Sequence, residues 1–224
     1  MRCLGIETSS RRGSVALVQV LPQGVEVVGL RFHEEVNRHG ERILPLVDDL
    51  LRETGWSPAS IERVGVGVGP GSFTGLRIGV ALAQGIGLGL GCPVVGVSSL
   101  RAMARAAPPH TGPTAAILDA RRGEFFLAIY GAAGMELHAP HTIPQAGAES
   151  AIVALAGDSV RIVGEPAAAW RHGFGSEESD LPIATATATL AAELDPADAP
   201  AVPIYVRAAD AIKPNLPPSP LAAG

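Results

Sequence analysis

The stretch GVGVGPGSFTGLR, residues 65–77, places five glycines and a proline within thirteen residues, just ahead of an apolar run. Glycine at that density is what a loop needs to bring backbone amides against a phosphate. The standard phosphate motifs are nevertheless absent. A Walker A loop carries a lysine that reaches the terminal phosphates, whereas Gly75 is followed by Leu76 and Arg77, and the loop contains no Rossmann GxGxxG. Ser72, Thr74 and the amides at the start of the following helix still form a candidate anion site. Arg77, in the first helical turn, opposes the macrodipole and is better tolerated beside a negative ligand.

A second candidate is Glu7-Thr8-Ser9-Ser10, an acid and three hydroxyls at the end of an apolar run. It reads equally as a phosphate-contacting turn and as an ordinary polar β-turn. Asp119 and Glu124 flank an Arg121-Arg122 turn, and there a structural hairpin is the better reading. The six histidines (33, 39, 110, 138, 141 and 172) supply no HExxH and no pair at helical metal-ligand spacing. His138 and His141, in HAPH, are read as exposed loop residues. No G-x-S-x-G elbow offers a serine nucleophile. Cys3 and Cys92 sit in apolar contexts outside any CxxC pattern and are read as buried hydrophobes of a reducing cytoplasm.

Composition narrows the class. The 224 residues are 47% hydrophobic and 17% charged, enough for a substantial core, and the net charge of −5 argues against a main nucleic-acid-gripping surface. The N-terminus, MRCLGIETSS, carries Glu7 and no long apolar region, so no signal peptide is expected. Residues 78–97 are uncharged and long enough to span a bilayer, yet they hold six glycines, Gln84 and Pro93. A buried helix ending near Gly91, followed by a strand, accounts for that break, so no membrane is expected.

These residues must be positioned by an ordered series of elements. Runs 2–8, 14–20 and 25–32 read as three strands joined by hairpin-length turns. Residues 41–53 carry Ile43, Leu46, Val47, Leu50 and Leu51 at helical spacing, with Asn37 as a cap-like residue upstream and Gly55 as a stop. Pro45 is acceptable there only in a first turn or at a kink. A strand over IERVGVGVG, a helix over about 74–89 and a strand over CPVVGV follow. The order βββαβαβ is that of the ribonuclease-H-like core of actin-like ATPases (the ASKHA fold). In that fold, the turn after the first strand holds an acid that organises Mg²⁺ and a loop that touches phosphate. A short helix over SSLRAMARAA and a hairpin over 115–130 come next.

We expect two lobes: 1–104, carrying the fold core, and 105–212, a reduced α/β lobe. Residues 213–224 read as a disordered tail.

The second helix has an unusual surface. Gly75, Gly79, Ala83 and Gly87 recur every four residues, and Ala81, Gly85 and Gly89 form a second row. Each glycine costs on the order of 1 kcal/mol of helix propensity relative to alanine. Close approach of another backbone would offset that cost. The chain's own sheet can use only one face, so the second smooth face points to a helix of another subunit.

LGIETSSRRGSVAL, HGERILPLVDDLL, GVGPGSFTGLRIGVALAQGIGLGLGCPVVGVSSL, ILDARRGEFFLAIY and PIYVR, in this order, resemble the TsaB (YeaZ) family, densely over about residues 2–130. The resemblance implies a non-catalytic partner of TsaD, the actin-like paralogue that transfers threonylcarbamoyl to adenosine 37 of tRNA, in a complex joined by the small ATPase TsaE. It implies cytoplasmic localisation, a TsaB–TsaD heterodimer, a homodimer when TsaD is absent, and contact with tRNA only through the complex. The two helices would form the interface, through Ile43, Leu46, Val47 and Leu50 on one and Gly75, Arg77, Gly79, Ala83 and Gly87 on the other. Glu7, Thr8, Ser9, Ser10, Ser72 and Thr74 would be a vestigial nucleotide or anion site. This chain would require no cofactor, although a nucleotide could sit at a shared interface.

TsaD-like chains carry V-N-H-L-E-G-H, whose histidines bind metal. Ser99 and Met103 stand at those positions here, and neither suits such an ion. The alternative is a stand-alone actin-fold ATPase or kinase using Glu7, Ser9, Ser10 and the 69–75 loop. A kinase also needs a glycine-rich adenosine-binding segment late in the chain, and none is convincing after residue 131.

Overall fold

A computed structural model describes residues 1–35, 38–132, 134–164, 167, 170–173 and 183–206. The proposed cap Asn37, the last residue of PIYVR (Arg207) and the tail 213–224 lie outside them.

The three N-terminal runs form strands β1 (Arg2–Glu7), β2 (Gly13–Leu21) and β3 (Gly24–His33). They pair as an antiparallel meander, and β4 (Arg63–Gly69) and β5 (Val94–Ser98) add in parallel, giving the order β3-β2-β1-β4-β5. β1 alternates between two cores, as a strand covered on both faces must. Leu4 and Ile6 pack under helices α1 (His39–Thr54) and α2 (Phe73–Leu90), whereas Cys3 faces α5 (Ala184–Glu193). Burial holds the Cys3 thiol up at about 11, so it behaves as a small hydrophobe.

The second sheet repeats the scheme with one strand fewer: β6 (Thr114–Arg121), β7 (Glu124–Tyr130) and β8 (Glu136–Pro144) form the meander, and β9 (Arg161–Val163) pairs in parallel with β6. This is the actin-like, ribonuclease-H-like α/β fold, with a reduced second sheet. Helix α3 (Ser99–Ala106) links the two sheets, burying Leu100 and Met103 against β6 and β7, and α4 (Ala148–Ala156) covers the opposite face of the second sheet through Ile152. HAPH lies within β8 rather than in a loop.

Two further details differ from expectation. Pro45 is the seventh residue of α1. It lies on the solvent side, where the carbonyl it leaves without an N–H partner can be hydrated. Helix α5, within the segment assigned to the second lobe, packs on the first sheet. Its ATATATLAAE sequence is small on every face, and the strands beneath it are bare where it lies closest. A Cβ on Gly5 would fall 2.1 Å from the Ala184 carbonyl oxygen, and one on Gly65 would fall 2.5 Å from the Ala191 Cβ.

Candidate functional site

The glycine loop crosses directly over the turn that follows β1. A Cβ on Gly71 would lie 2.3 Å from the Ser9 carbonyl oxygen, and one on Gly75 would lie 2.1 Å from that of Thr8. One on Gly79 would meet Thr8 Oγ1 at 2.2 Å. Real side chains do not fit such gaps, so backbone contact is what these glycines serve. Several groups of the candidate anion site are already engaged within the chain. Ser72 N–H donates to the Ser9 carbonyl (2.6 Å), Gly75 N–H to Ser72 Oγ (3.2 Å), and Thr8 Oγ1 to the Gly75 carbonyl (2.8 Å). Thr74 is exposed. Ser10 Oγ bonds locally to the backbone of Arg12, and Ser9 Oγ is buried without a hydrogen-bond partner.

Glu7 is fully enclosed. Its carboxyl accepts the Thr8 and Ser9 amides at 3.0 and 2.9 Å, the Ser99 hydroxyl at 3.2 Å and the Thr187 hydroxyl at 3.4 Å. Burial outweighs these bonds and raises its pKa above the ordinary 4.5. A Cβ on Gly67 would collide with this carboxyl. Ser99, which also accepts the Gly69 amide at 3.2 Å, thus helps hold Glu7 in place, and Met103 is core. Among the described residues no three His, Cys, Asp or Glu side chains gather as metal ligands. Asp119 closes its hairpin, accepting the Arg121 amide at 2.8 Å.

The residues expected at a partner interface divide. Ile43, Val47 and Leu50 are core side chains beneath α1, and Leu46 packs half-buried at the edge of that cluster. Gly75, Gly79, Ala83 and Gly87 form the buried row of α2, because this face meets Thr8 and Val94. These seven buried residues offer no side chain to a partner. The outward face is the second row, Ala81, Gly85 and Gly89, flanked by Leu88 at 87% exposure and Leu44 on α1 at 50%.

Arg77 is exposed but engaged. It stacks 3.7 Å from the Phe73 ring centroid and donates to Tyr205 Oη at 3.0 Å, and no anion is needed to explain its position. Tyr205 is brought there by a strap over the first sheet, in which Ile204 N–H donates to the Val68 carbonyl at 2.7 Å. Thr187 and the role of Tyr205 were missed from sequence. The alternating Ala/Thr run and the PIYVR motif were the available signals.

Comparison with known proteins fits this arrangement. YeaZ from Pseudomonas aeruginosa superposes with a TM-score of 0.73 at 26% identity, covering 91% of this chain and 99% of that one. A second P. aeruginosa structure, described as similar to peptidase YeaZ, gives 0.72 at 26% identity, over 92% and 99%. The family model for TsaD, tRNA N6-adenosine threonylcarbamoyltransferase, matches residues 33–143. The tRNA threonylcarbamoyladenosine biosynthesis protein TsaB of Escherichia coli (strain K12) is 42% identical over 132 residues. These findings support the resemblance to TsaB (YeaZ) proteins. The E. coli match spans 58% of this chain and 55% of that relative, about half its length. Within the segment matched by the TsaD model, this chain carries Ser99 and Met103.

Proposed function

We propose that this chain is a non-catalytic, cytoplasmic subunit in bacterial tRNA threonylcarbamoyladenosine biosynthesis, acting as the partner that binds TsaD and supports docking of TsaE. One observation carries the non-catalytic reading. The acid that an actin-like ATPase would present to a metal–nucleotide complex is here sealed from solvent and bonded to Ser99. A stand-alone ATPase would need that acid accessible, so the alternative has no support from the geometry.

The docking face proposed is the outward side of α1 and α2: Leu44, Ala81, Gly85 and Leu88, bordered by Phe73 and Arg77. Its small residues allow a second helix to approach closely, and Leu88 supplies apolar area that burial would reward by about 1.5–3 kcal/mol. The same face would serve a homodimer when TsaD is absent. A nucleotide at a shared interface is compatible with this arrangement, and tRNA would be met only through the complex.

The test is native mass spectrometry of the chain alone and with its cognate TsaD, paired with a tRNA-modification assay omitting this chain. The reading expects a homodimer that converts to a 1:1 heterodimer, and modification that is lost on omission. Leu88→Arg with Ala81→Arg should abolish association while leaving the thermal melt unchanged. A chain that ignores TsaD would overturn the proposal.

A further inference from the structure

The first sheet ends in an open edge. Strand β3 is terminal in the order β3-β2-β1-β4-β5, whereas α2 reaches Val94 of β5 at the other end. It is ten residues long, and its sequence GVEVVGLRFH holds neither the lysine nor the proline that commonly blunts an edge. Three of its apolar side chains stand in solvent: Val25 at 42% exposure, Val27 at 54% and Phe32 at 54%. A long, exposed apolar edge is a template for another strand.

One irregularity in β3 says which strand fits. Val18 pairs with Val27 and Leu17 with Gly29, so Val28 is the extra residue of a bulge. The bulge reverses the alternation of side chains along β3. Before it, Val25 and Val27 share the α5 side with Val18, and Glu26 takes the α1 side. After it, Gly29 and Arg31 take the α1 side. A Cβ on Gly29 would lie 2.8 Å from Leu50 Cδ1, and Arg31 bonds Glu53. Phe32 returns to the α5 side, because it pairs with Ser14, whose Oγ accepts the Ala184 N–H. A regular strand laid along this edge would fall out of phase at Val28. A second β3, running antiparallel, carries the same bulge at the same place and stays in phase.

We propose that β3 pairs with β3 of a second copy of this chain, about a two-fold axis between Val28 and Gly29. That register sets Val25 opposite Phe32 and Val27 opposite Leu30 on the α5 side, and Glu26 opposite Arg31 on the α1 side, each pair occurring twice. The opposed side chains then share a face and match in character: apolar meets apolar, and carboxylate meets guanidinium. Shifting the register by two residues would oppose Glu26 to Gly29 or to His33 and lose that match. Glu26 is exposed and has no ion-pair partner among the described residues. Arg31 already donates to Glu53 and to the Leu30 carbonyl, and its five donors leave others for Glu26 of the second copy. About eight residues a side are engaged, against roughly 20–30 in a standard interface, so the association is weak, with Kd on the order of 0.1 mM. At micromolar concentration it is unpopulated and leaves the stoichiometries expected above unchanged. The inference is independent of the proposed scaffold role.

The experiment is sedimentation equilibrium of the full-length chain from about 10 μM to about 1 mM, with Ala81→Arg and Leu88→Arg present so that the helix face takes no part. The expected result is a monomer–dimer equilibrium within that range. Glu26→Arg alone and Arg31→Glu alone should each weaken it roughly tenfold or more, because each sets like charges opposite one another twice. An equimolar mixture of these two variants should recover it, since opposite charges then meet at both positions. Glu26→Arg, at an exposed site with no ion-pair partner, decides the matter even if Arg31→Glu, which also loses Glu53, melts early. The proposal is overturned if no dimer forms by about 1 mM, if Glu26→Arg leaves the dissociation constant unchanged, or if the two folded single variants fail to associate when mixed.

Discussion

His39 Nδ1 lies 3.1 Å from His33 Nε2, and His39 Nε2 lies 3.0 Å from the Ser10 carbonyl oxygen. These contacts fix both tautomers. The carbonyl can only accept, so His39 Nε2 carries the proton and donates. His39 Nδ1 is then bare and accepts from His33 Nε2–H, leaving His33 Nδ1 bare, buried and without a partner. A proton added to His39 Nδ1 would confront the N–H of His33. One added to His33 Nδ1 would have no acceptor.

Both imidazoles therefore hold pKa values below the ordinary 6.5, burial being the main cause for each; for His33 the neighbouring His39 and Arg42 add to it and Glu35 opposes it. The unfolded chain binds protons that the folded chain refuses, so stability falls as pH drops through 6.5. The slope should reach about 1.4 kcal/mol per pH unit for each proton excluded. Urea unfolding of wild type and His39→Gln across this range measures it. Parallel curves for the two proteins would refute the assignment.

The two rows of α2 should respond in opposite ways to one added methyl group. Gly75→Ala drives a Cβ into the Thr8 backbone and should cost about 2–3 kcal/mol. At Gly85 a Cβ meets nothing within 4 Å, so Gly85→Ala should gain about 0.5–1 kcal/mol of helix stability. Denaturant midpoints for the pair decide the orientation of the helix. Equal losses at both positions would mean that the outward face is also packed.

Glu7→Gln should leave the fold within about 1 kcal/mol of wild type, because the amide oxygen can still accept the two backbone N–H groups. Glu7→Ala strands both and should cost about 3 kcal/mol or more. The raised pKa gives a signature of opposite sense to the histidines. The folded state keeps the Glu7 proton beyond 4.5, so its contribution is full below that pH and is lost as pH rises through the folded value. The wild-type minus Glu7→Gln stability difference, followed between about pH 4 and 8, should fall with rising pH. A flat difference would indicate a carboxyl that ionises ordinarily.

Much of the fold was legible because its signals are local. Alternating runs separated by turns gave the first meander, and a glycine stop marked the end of α1. What was not legible depends on partners distant in the chain. The two small-residue rows of α2 look alike in sequence, and only the Thr8 backbone decides which is buried. Glu7 reads as a metal-organising acid until Ser99 and Thr187, 92 and 180 residues further along, are brought onto it. Helix α5 lacks apolar contrast between its faces because Gly5 and Gly65 ask it only to be small. The Arg77 site was misread for a similar reason, since its aromatic partner Tyr205 lies 128 residues away.

The placement of α5 and of the strap through Ile204 has a consequence for how the chain is made. One face of the first sheet stays bare until residues 184–193 are available to cover it, and the end of β4 stays untied until Ile204 reaches Val68. During synthesis the second sheet can close from contiguous segments, whereas the earlier-made first sheet must wait for residues translated long afterwards. The N-terminal half is thus the last part to become a finished structure, and a ribosome stalled at mid-chain would expose its apolar strands to aggregation.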